Sequence, residues 1–360
     1  LANGGVRIAV DGRGLITSIV HLGTVRGVLP AGQVGNLLQL HRDIPNTWEA
    51  WDIDAHYRRN VTDLVEAESV VPDGDGGLRI TRAFSGSRVV QELRLADGED
   101  PTLHVVTNVD WHETQKLLKL AFPLDVHSSA ATSEMQFGHV TRATHVNTSW
   151  DVARFETVAH RWVHVGEPGF GVAVANDSSY GHDITRARFG AESDGSGAGA
   201  DGSGTDGAVG SVVRVTLLRA PLFPDPVADQ GEHTFRNAIT FGADIAEAVR
   251  QGYAINLPER RVVGDGEVAP LLRVADPQVV VEAIKLARDG SGDVIVRLYE
   301  SLGARAATSI ALDFEHSAVT VTDLLERPVE GAAIPTVTDD GEVALTLRPF
   351  EILTLRIARP

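Results

Sequence analysis

The sequence predicts an all-β protein, a large antiparallel β-domain followed by a small β-sandwich. Three observations lead there. Short runs of β-branched and aromatic residues recur along the whole chain, each bounded by Gly, Asp or Pro, which is the pattern of antiparallel strands rather than βαβ units. No helix longer than a few turns is convincing. A stretch interrupted by Pro258, Gly264, Asp265, Gly266, Pro270 and Pro277 separates two strand-rich portions.

Taken in order, residues 6–10, the turn Asp11-Gly12-Arg13-Gly14 and residues 15–20 read as a hairpin. Residues 78–84 with 88–95, and 103–111 with 117–124, repeat that arrangement. The best helical pattern is 244–251, where Ile245, Ala248 and Val249 share a face. Residues 192–210 are almost wholly Gly, Ser, Ala, Asp and Thr; they cannot bury apolar area and are expected to form a flexible, solvated loop. Six short strands follow the break, at 279–287, 293–300, 308–314, 319–323, 342–347 and 351–357. The expected organisation is therefore a large domain over 1–260, a linker over 261–277 and a small domain over 278–360.

The 360 residues are 43% hydrophobic and 22% charged, enough apolar material for a sizeable core. The balance of 32 Lys and Arg against 49 Asp and Glu gives a net charge of −17, which repels phosphate backbones and anionic lipid, so neither nucleic acid nor membrane is expected as a partner. Without cysteine there is no disulfide framework and no thiolate chemistry, a composition that fits a reducing compartment. No apolar run approaches the roughly 20 residues of a membrane span. The chain opens on Leu1 and enters a strand at once, with no signal-peptide pattern, so the natural N-terminus is expected to lie upstream. The sequons at Asn60, Asn147 and Asn176 are read as chance matches.

Chemistry concentrates in two places. Residues 48–57 hold Trp48, Trp51, Asp52, His56 and Tyr57; aromatic rings stack on the C–H face of a pyranose and carboxylates accept from its hydroxyls. The alternative is that the tryptophans anchor the sandwich. Residues 137–162 are dense in His, Arg, Asn, Thr and Trp, polar groups that need partners wherever they are buried. His160 and His164 would lie about 13 Å apart on a strand, too far to share an ion, and are read as structural. No GxSxG elbow, phosphate-binding Gly loop or HExxH pair is present. A catalytic carboxylate pair cannot be picked from 49 acids by spacing. The residues alone specify no more than a sugar-compatible β-protein.

A family becomes visible in longer runs: Asp43-Ile44-Pro45-Asn46-Thr47-Trp48-Glu49-Ala50-Trp51-Asp52, Thr144-His145-Val146-Asn147-Thr148-Ser149-Trp150-Asp151, Ala153-Arg154-Phe155-Glu156, His160-Arg161-Trp162 and Leu217-Leu218-Arg219-Ala220-Pro221. Shorter ones are Tyr180-Gly181-His182-Asp183, Pro224-Asp225-Pro226, Ala228-Asp229-Gln230-Gly231 and Pro349-Phe350-Glu351-Ile352. In this order they resemble the C-terminal part of glycoside hydrolase family 38 α-mannosidases of the cytosolic and vacuolar type. The resemblance implies a large supersandwich of the galactose mutarotase-like kind, then the small sandwich. It also implies a retaining exo-α-mannosidase acting on mannose-containing oligosaccharides in the cytoplasm. Its nucleophile, acid/base carboxylate and divalent metal, zinc or cobalt, would belong to an N-terminal barrel in the same polypeptide. No catalytic or metal-binding residue is then expected in this chain, which would be inactive alone.

By the same resemblance Arg219, Asp229, Asn147, Trp150 and Asp151 are candidates for the rim of the sugar site, with Trp48, Trp51, Asp52 and Tyr57 as secondary sugar contacts. Arg219 could instead brace its loop through Asp225 or Asp229. The sequence departs from the family pattern in the Gly/Ser insertion at 192–210 and in Ala143, where proline is usual. Self-association into a homo-oligomer is left open. Two other readings stay open: a stand-alone carbohydrate-binding module, and a mutarotase-like or lyase-like enzyme using His145 and Arg219 in proton transfer.

Overall fold

Alternation explains the centre of the molecule. In the strand Lys116–Leu124, Leu118, Leu120, Phe122 and Leu124 fall on one face and are essentially buried, while Leu117, Lys119 and Ala121 fall on the other and are buried too. A strand covered on both faces belongs in the middle of a sheet. It sits between Ala208–Ala220 and Leu37–Arg42 in a six-stranded antiparallel sheet that continues through Gly181–Phe189 to Thr157–Val158 on one side and to Val61–Asp63 on the other.

The computed structural model of the chain describes all residues except 191–206, 261, 267, 334 and 339. It divides into two units, Leu1–Ser133 with Thr141–Pro258, and Glu134–Val140 with Glu259–Pro360. In the first, the six-stranded sheet and strands of a larger, nine-stranded sheet share one apolar core: Leu38, Leu120, Phe122 and Val213 come from the smaller sheet, Val89, Val105, Val165, Val172 and Ile239 from the larger. Burying each such side chain stabilises the fold by roughly 1.5–3 kcal/mol. A three-stranded sheet led by the expected hairpin, Val6–Val10 with Ile16–His21, adds Ile8, Ile16 and Ile19 to that core. The helix Ile245–Asn256 runs five residues beyond its expected end, capped by Asp244, whose carboxylate accepts from the Glu247 amide at 2.8 Å.

One expected hairpin is not a hairpin. Thr102–Trp111 lies in the nine-stranded sheet and Lys116–Leu124 in the six-stranded one, so the short connection between them turns a corner of the sandwich. Both strands present apolar faces to the same core from opposite sides, which alternation alone cannot distinguish from pairing side by side. The loop expected at 192–210 falls outside the described residues up to 206; beyond it Ala208, Val209 and Gly210 already open the strand Ala208–Ala220.

The second unit holds two four-stranded antiparallel sheets around a core that includes Val296, Leu298, Ile310, Val343, Leu355 and Ile357. Each of the six expected strands is there, and the segment expected as a linker adds a further one, Leu272–Val274, paired with Ala306–Leu312. The buried carboxylate of Glu300 accepts from the backbone amides of Leu302, Gly303 and Phe350 at 2.8, 2.8 and 3.0 Å, tying a turn to the last strand. Within this unit Phe137 meets Tyr299 edge-on and His139 meets Phe350 in the same way.

Candidate functional site

The register of the six-stranded sheet gathers three loops at one end. Lys116 stands opposite both Arg42 and Ala220, so the loops that follow Arg42 and Ala220 and the one that precedes Lys116 emerge together. Backbone bonds stitch them: Asp43 N–H donates to the Gln115 carbonyl at 2.9 Å and Gln115 N–H to the Ala220 carbonyl at 2.7 Å. Side chains continue the stitching, with Gln115 Nε2 donating to Glu49 Oε1 at 2.8 Å and Gln230 Nε2 to the Glu113 carbonyl at 2.6 Å.

Arg219 is the main clamp of this end. Its guanidinium donates to both oxygens of the buried Asp43 carboxylate, to the Glu49 carbonyl at 2.9 Å and to the Asp52 carbonyl. A bidentate pair between arginine and carboxylate fixes direction as well as distance. The brace expected through Asp225 or Asp229 thus runs through Asp43, and Nε and Nη2 of Arg219 are taken up by its own protein.

The clamp displays tryptophan. Trp48 has left-handed backbone (φ 56°), and its carbonyl accepts from the amides of Trp51 and Asp52 at 2.7 and 2.8 Å. Side chains rarely adopt that conformation unless the surroundings impose it. Trp48 and Trp51 are 71% and 68% exposed, so they are not anchors of the sandwich. The Asp52 carboxylate accepts from the next amide, Ile53, at 2.9 Å.

Tyr57 departs from its expected role. Its ring is buried, and its hydroxyl donates to Glu156 Oε2 at 2.8 Å, so it is no sugar contact but part of an interior charged layer. At the centre of that layer Lys119, fully buried on the outer face of its strand, donates to Glu156 Oε2 at 2.5 Å and to Asp183 Oδ2 at 2.8 Å. Thr216 donates to the other Glu156 oxygen at 2.7 Å, Arg214 donates to Asp183 at 2.8 Å, and Arg58 lies 3.4 Å from the same oxygen. Arg58 also donates to the Phe155 carbonyl. Residues 43–60 and 144–157 are therefore both fastened to one buried ion cluster.

The electrostatics of the layer argue for holding rather than for chemistry. Burial alone would raise the Asp183 carboxyl, but Lys119, then Arg214 and Arg58, hold it well below the usual carboxylate range. Burial alone would lower the Lys119 ammonium, yet Asp183 and Glu156 keep it above its ordinary value. Burial, reinforced by Lys119 and Arg214, pushes His41 down to about 4, and burial pushes Tyr57 up to about 12. His182 is likewise driven down to about 4 by burial, with Ser133 and Thr157 hydroxyls at 3.0 and 3.1 Å from its Nε2. Each of these groups keeps one protonation state around neutral pH, unsuited to a general acid or base.

The remaining expected residues lie around this layer. Asp151 closes a capping box with Thr148 at the start of the short helix Ser149–Ala153, while Asn147 is exposed and Trp150 is 75% exposed. Asp229 is exposed with left-handed backbone (φ 56°), and its carbonyl accepts from His233 at 2.8 Å. The structure thus joins Arg219, Trp48, Trp51 and Asp52 directly, brings the Asp229 loop to the same end through Gln230, and sets 147–151 on the segment fastened at Glu156. His164 donates to the Ala243 carbonyl at 2.9 Å, a structural bond. Among the described residues no three His, Asp or Glu side chains are placed to hold a metal ion, so these residues do not fit the divalent metal that the family resemblance implies. No helix among them is long and apolar enough to cross a membrane.

Lys119, Glu156, Asp183 and Arg214 were missed as a group. The signal was a charge, Lys119, flanked on both sides by apolar residues within its strand.

Comparison with known proteins gives a consistent result. The family model described as the glycosyl hydrolases family 38 C-terminal domain matches residues 1–227, and that described as the glycosyl hydrolases family 38 C-terminal beta sandwich domain matches 278–355. Alpha-mannosidase 2C1 of Homo sapiens is 35% identical over 370 residues, covering 99% of this chain and 33% of that protein. Alpha-mannosidase G of Dictyostelium discoideum is 27% identical, covering 98% of this chain and 32% of that protein. The chain thus spans about a third of the length of these relatives. The crystal structure of an alpha-mannosidase from Enterococcus faecalis V583 superposes with a TM-score of 0.73 at 17% identity, covering 99% of this chain and 42% of that one, a likeness of fold.

Proposed function

The chain belongs to glycoside hydrolase family 38, as that family's C-terminal β-region, and from that premise we propose that it serves a retaining exo-α-mannosidase that removes terminal α-mannosyl residues from oligosaccharides in the cytoplasm. In this reading residues 1–260 are the large β-domain, 278–360 the small one, and a catalytic barrel in the same polypeptide supplies nucleophile, acid/base and metal. The β-region packs on that barrel and borders the sugar site.

The observation that supports this role is the fastening of residues 43–60 and 144–157 to one buried ion cluster, with Trp48, Trp51 and Trp150 held outward. Exposed tryptophan on backbone held by a clamped arginine suits a protein or sugar contact, because the ring offers a large apolar face and the loop that carries it is already ordered. The contribution of Arg219 is positional: it sets the loop that presents the tryptophans.

The test is hydrolysis of an aryl α-mannoside, with divalent metal added, by the 360-residue chain and by a polypeptide extended upstream through the barrel. Activity confined to the extended polypeptide is expected, with R219Q lowering it; turnover by the 360 residues alone would overturn the assignment of roles. The exposure of Trp48 and Trp51 also favours a second reading, a carbohydrate-binding module working alone. Calorimetric titration of the chain with mannobiose separates the two, since only the module binds without a barrel.

A further inference from the structure

A cavity of about 360 Å³ opens in the first unit between residues 55–59 and residues 142–157. It is large enough for a small ligand by the usual range of about 300–1,000 Å³. Arg58, Arg59, Arg142 and Arg154 line it, against only two carboxylates, Asp151 and Asp183. This excess of positive charge stands in a chain whose net charge is −17. The two carboxylates offset only part of it: Asp183 is shared among Lys119, Arg214 and Arg58, and Asp151, which closes the capping box with Thr148, faces Arg154.

The guanidiniums are also under-used. Arg142 Nη1 and Arg58 Nε are buried without a hydrogen-bond acceptor. A buried, unsatisfied N–H of a charged group costs more than that of a neutral one, so the site favours an acceptor. Burial, and then the like charge of Arg154, push the Arg142 guanidinium below the ordinary arginine value, as expected where cations converge.

We propose that this cavity is a binding site for a phosphate group, free or carried as the monoester of a small sugar. Four guanidiniums less two carboxylates leave two positive charges, which match the charge of about −2 on a phosphate monoester. Its three terminal oxygens can accept from several planar donors at once, whereas a carboxylate offers two oxygens and a single charge. The inference rests on the geometry of the cavity and is independent of the mannosidase reading.

The test is calorimetric titration of the full chain with inorganic phosphate, with mannose 6-phosphate and with mannose. Phosphate and the sugar phosphate should both bind, more weakly as salt rises, and mannose should not; tighter binding of the sugar phosphate than of phosphate assigns the site to the ester, and equal binding to the free ion. Arg154 is exposed and its side chain makes no hydrogen bond or ion pair among the described residues, so R154Q leaves the fold intact; R154Q and R142Q should each weaken phosphate by about tenfold, the loss of one charge-assisted hydrogen bond. Absence of phosphate binding, or binding unchanged in R154Q, overturns the proposal. So does binding by the 360-residue chain that vanishes in the polypeptide extended through the barrel, because the cavity would then be a socket for a protein carboxylate.

Discussion

The two faces of the strand Lys116–Leu124 use opposite physics. Toward the nine-stranded sheet, Leu118, Leu120 and Phe122 fill a dry core whose stability comes from area removed from water. On the other face Lys119 is equally buried, yet it sits between two carboxylates and ties the loop residue Glu156 to Asp183 in the strand Gly181–Phe189 of the same sheet. An apolar face is non-directional and tolerates repacking, whereas an ion cluster fixes which segments meet and in what register. One face of the strand therefore builds the fold, and the other places residues 43–60 and 144–157.

The comparison breaks most directly at Lys119. Lys119→Met removes the cation shared by Glu156 and Asp183 and should cost about 3–5 kcal/mol in urea unfolding, as removal of one buried partner does. Amide exchange in 43–60 should rise with it; a loss under about 1 kcal/mol would mean the layer is not held by charge. Phe122→Ala on the opposite face should cost a similar 3–5 kcal/mol while leaving exchange in those loops unchanged.

Acid sharpens the contrast. His182 and His41 are neutral in the folded chain down to about pH 4, whereas in the unfolded chain they take a proton near pH 6.5. The unfolded state then binds more protons, so stability should fall as pH drops from about 6.5 toward 4, by about 1.4 kcal/mol per pH unit for each histidine. The slope should flatten in His182→Gln. Asp183, whose pKa is depressed, adds its loss only below the ordinary carboxylate range.

Smaller effects separate placing from folding. Arg219→Gln should cost about 1–3 kcal/mol, as loss of a hydrogen-bonded partner of buried Asp43 does, and should increase proteolysis near Trp48. Trp48→Ala and Trp51→Ala should shift stability by no more than about 0.5 kcal/mol, since both rings are solvated. If either costs several kcal/mol, the tryptophans belong to the fold and not to a contact surface.

The legible part of this protein was its local part. The six strands of the second unit and the first hairpin were readable because alternation and turn residues act within a few positions. The corner between Thr102–Trp111 and Lys116–Leu124 was not, because two strands facing one core from opposite sides show the same pattern as two strands paired edge to edge. Among the site candidates, Trp48 and Trp51 were found through composition. Tyr57 was misjudged because nothing near it in sequence shows that Glu156, 99 residues away, would receive its hydroxyl.

The sequence by itself determined an all-β chain, its strand positions, its negative charge and the motifs that tie it to family 38. Only the tertiary structure decided that Arg219 grips Asp43, that Lys119 joins Glu156 and Asp183, and that Arg142 and Arg154 line one cavity. The reason is range. Alternation and turns are fixed by neighbours along the chain, but the partner of a buried charge is fixed by which strands lie side by side, here across 64 residues from Lys119 to Asp183 and 176 from Asp43 to Arg219.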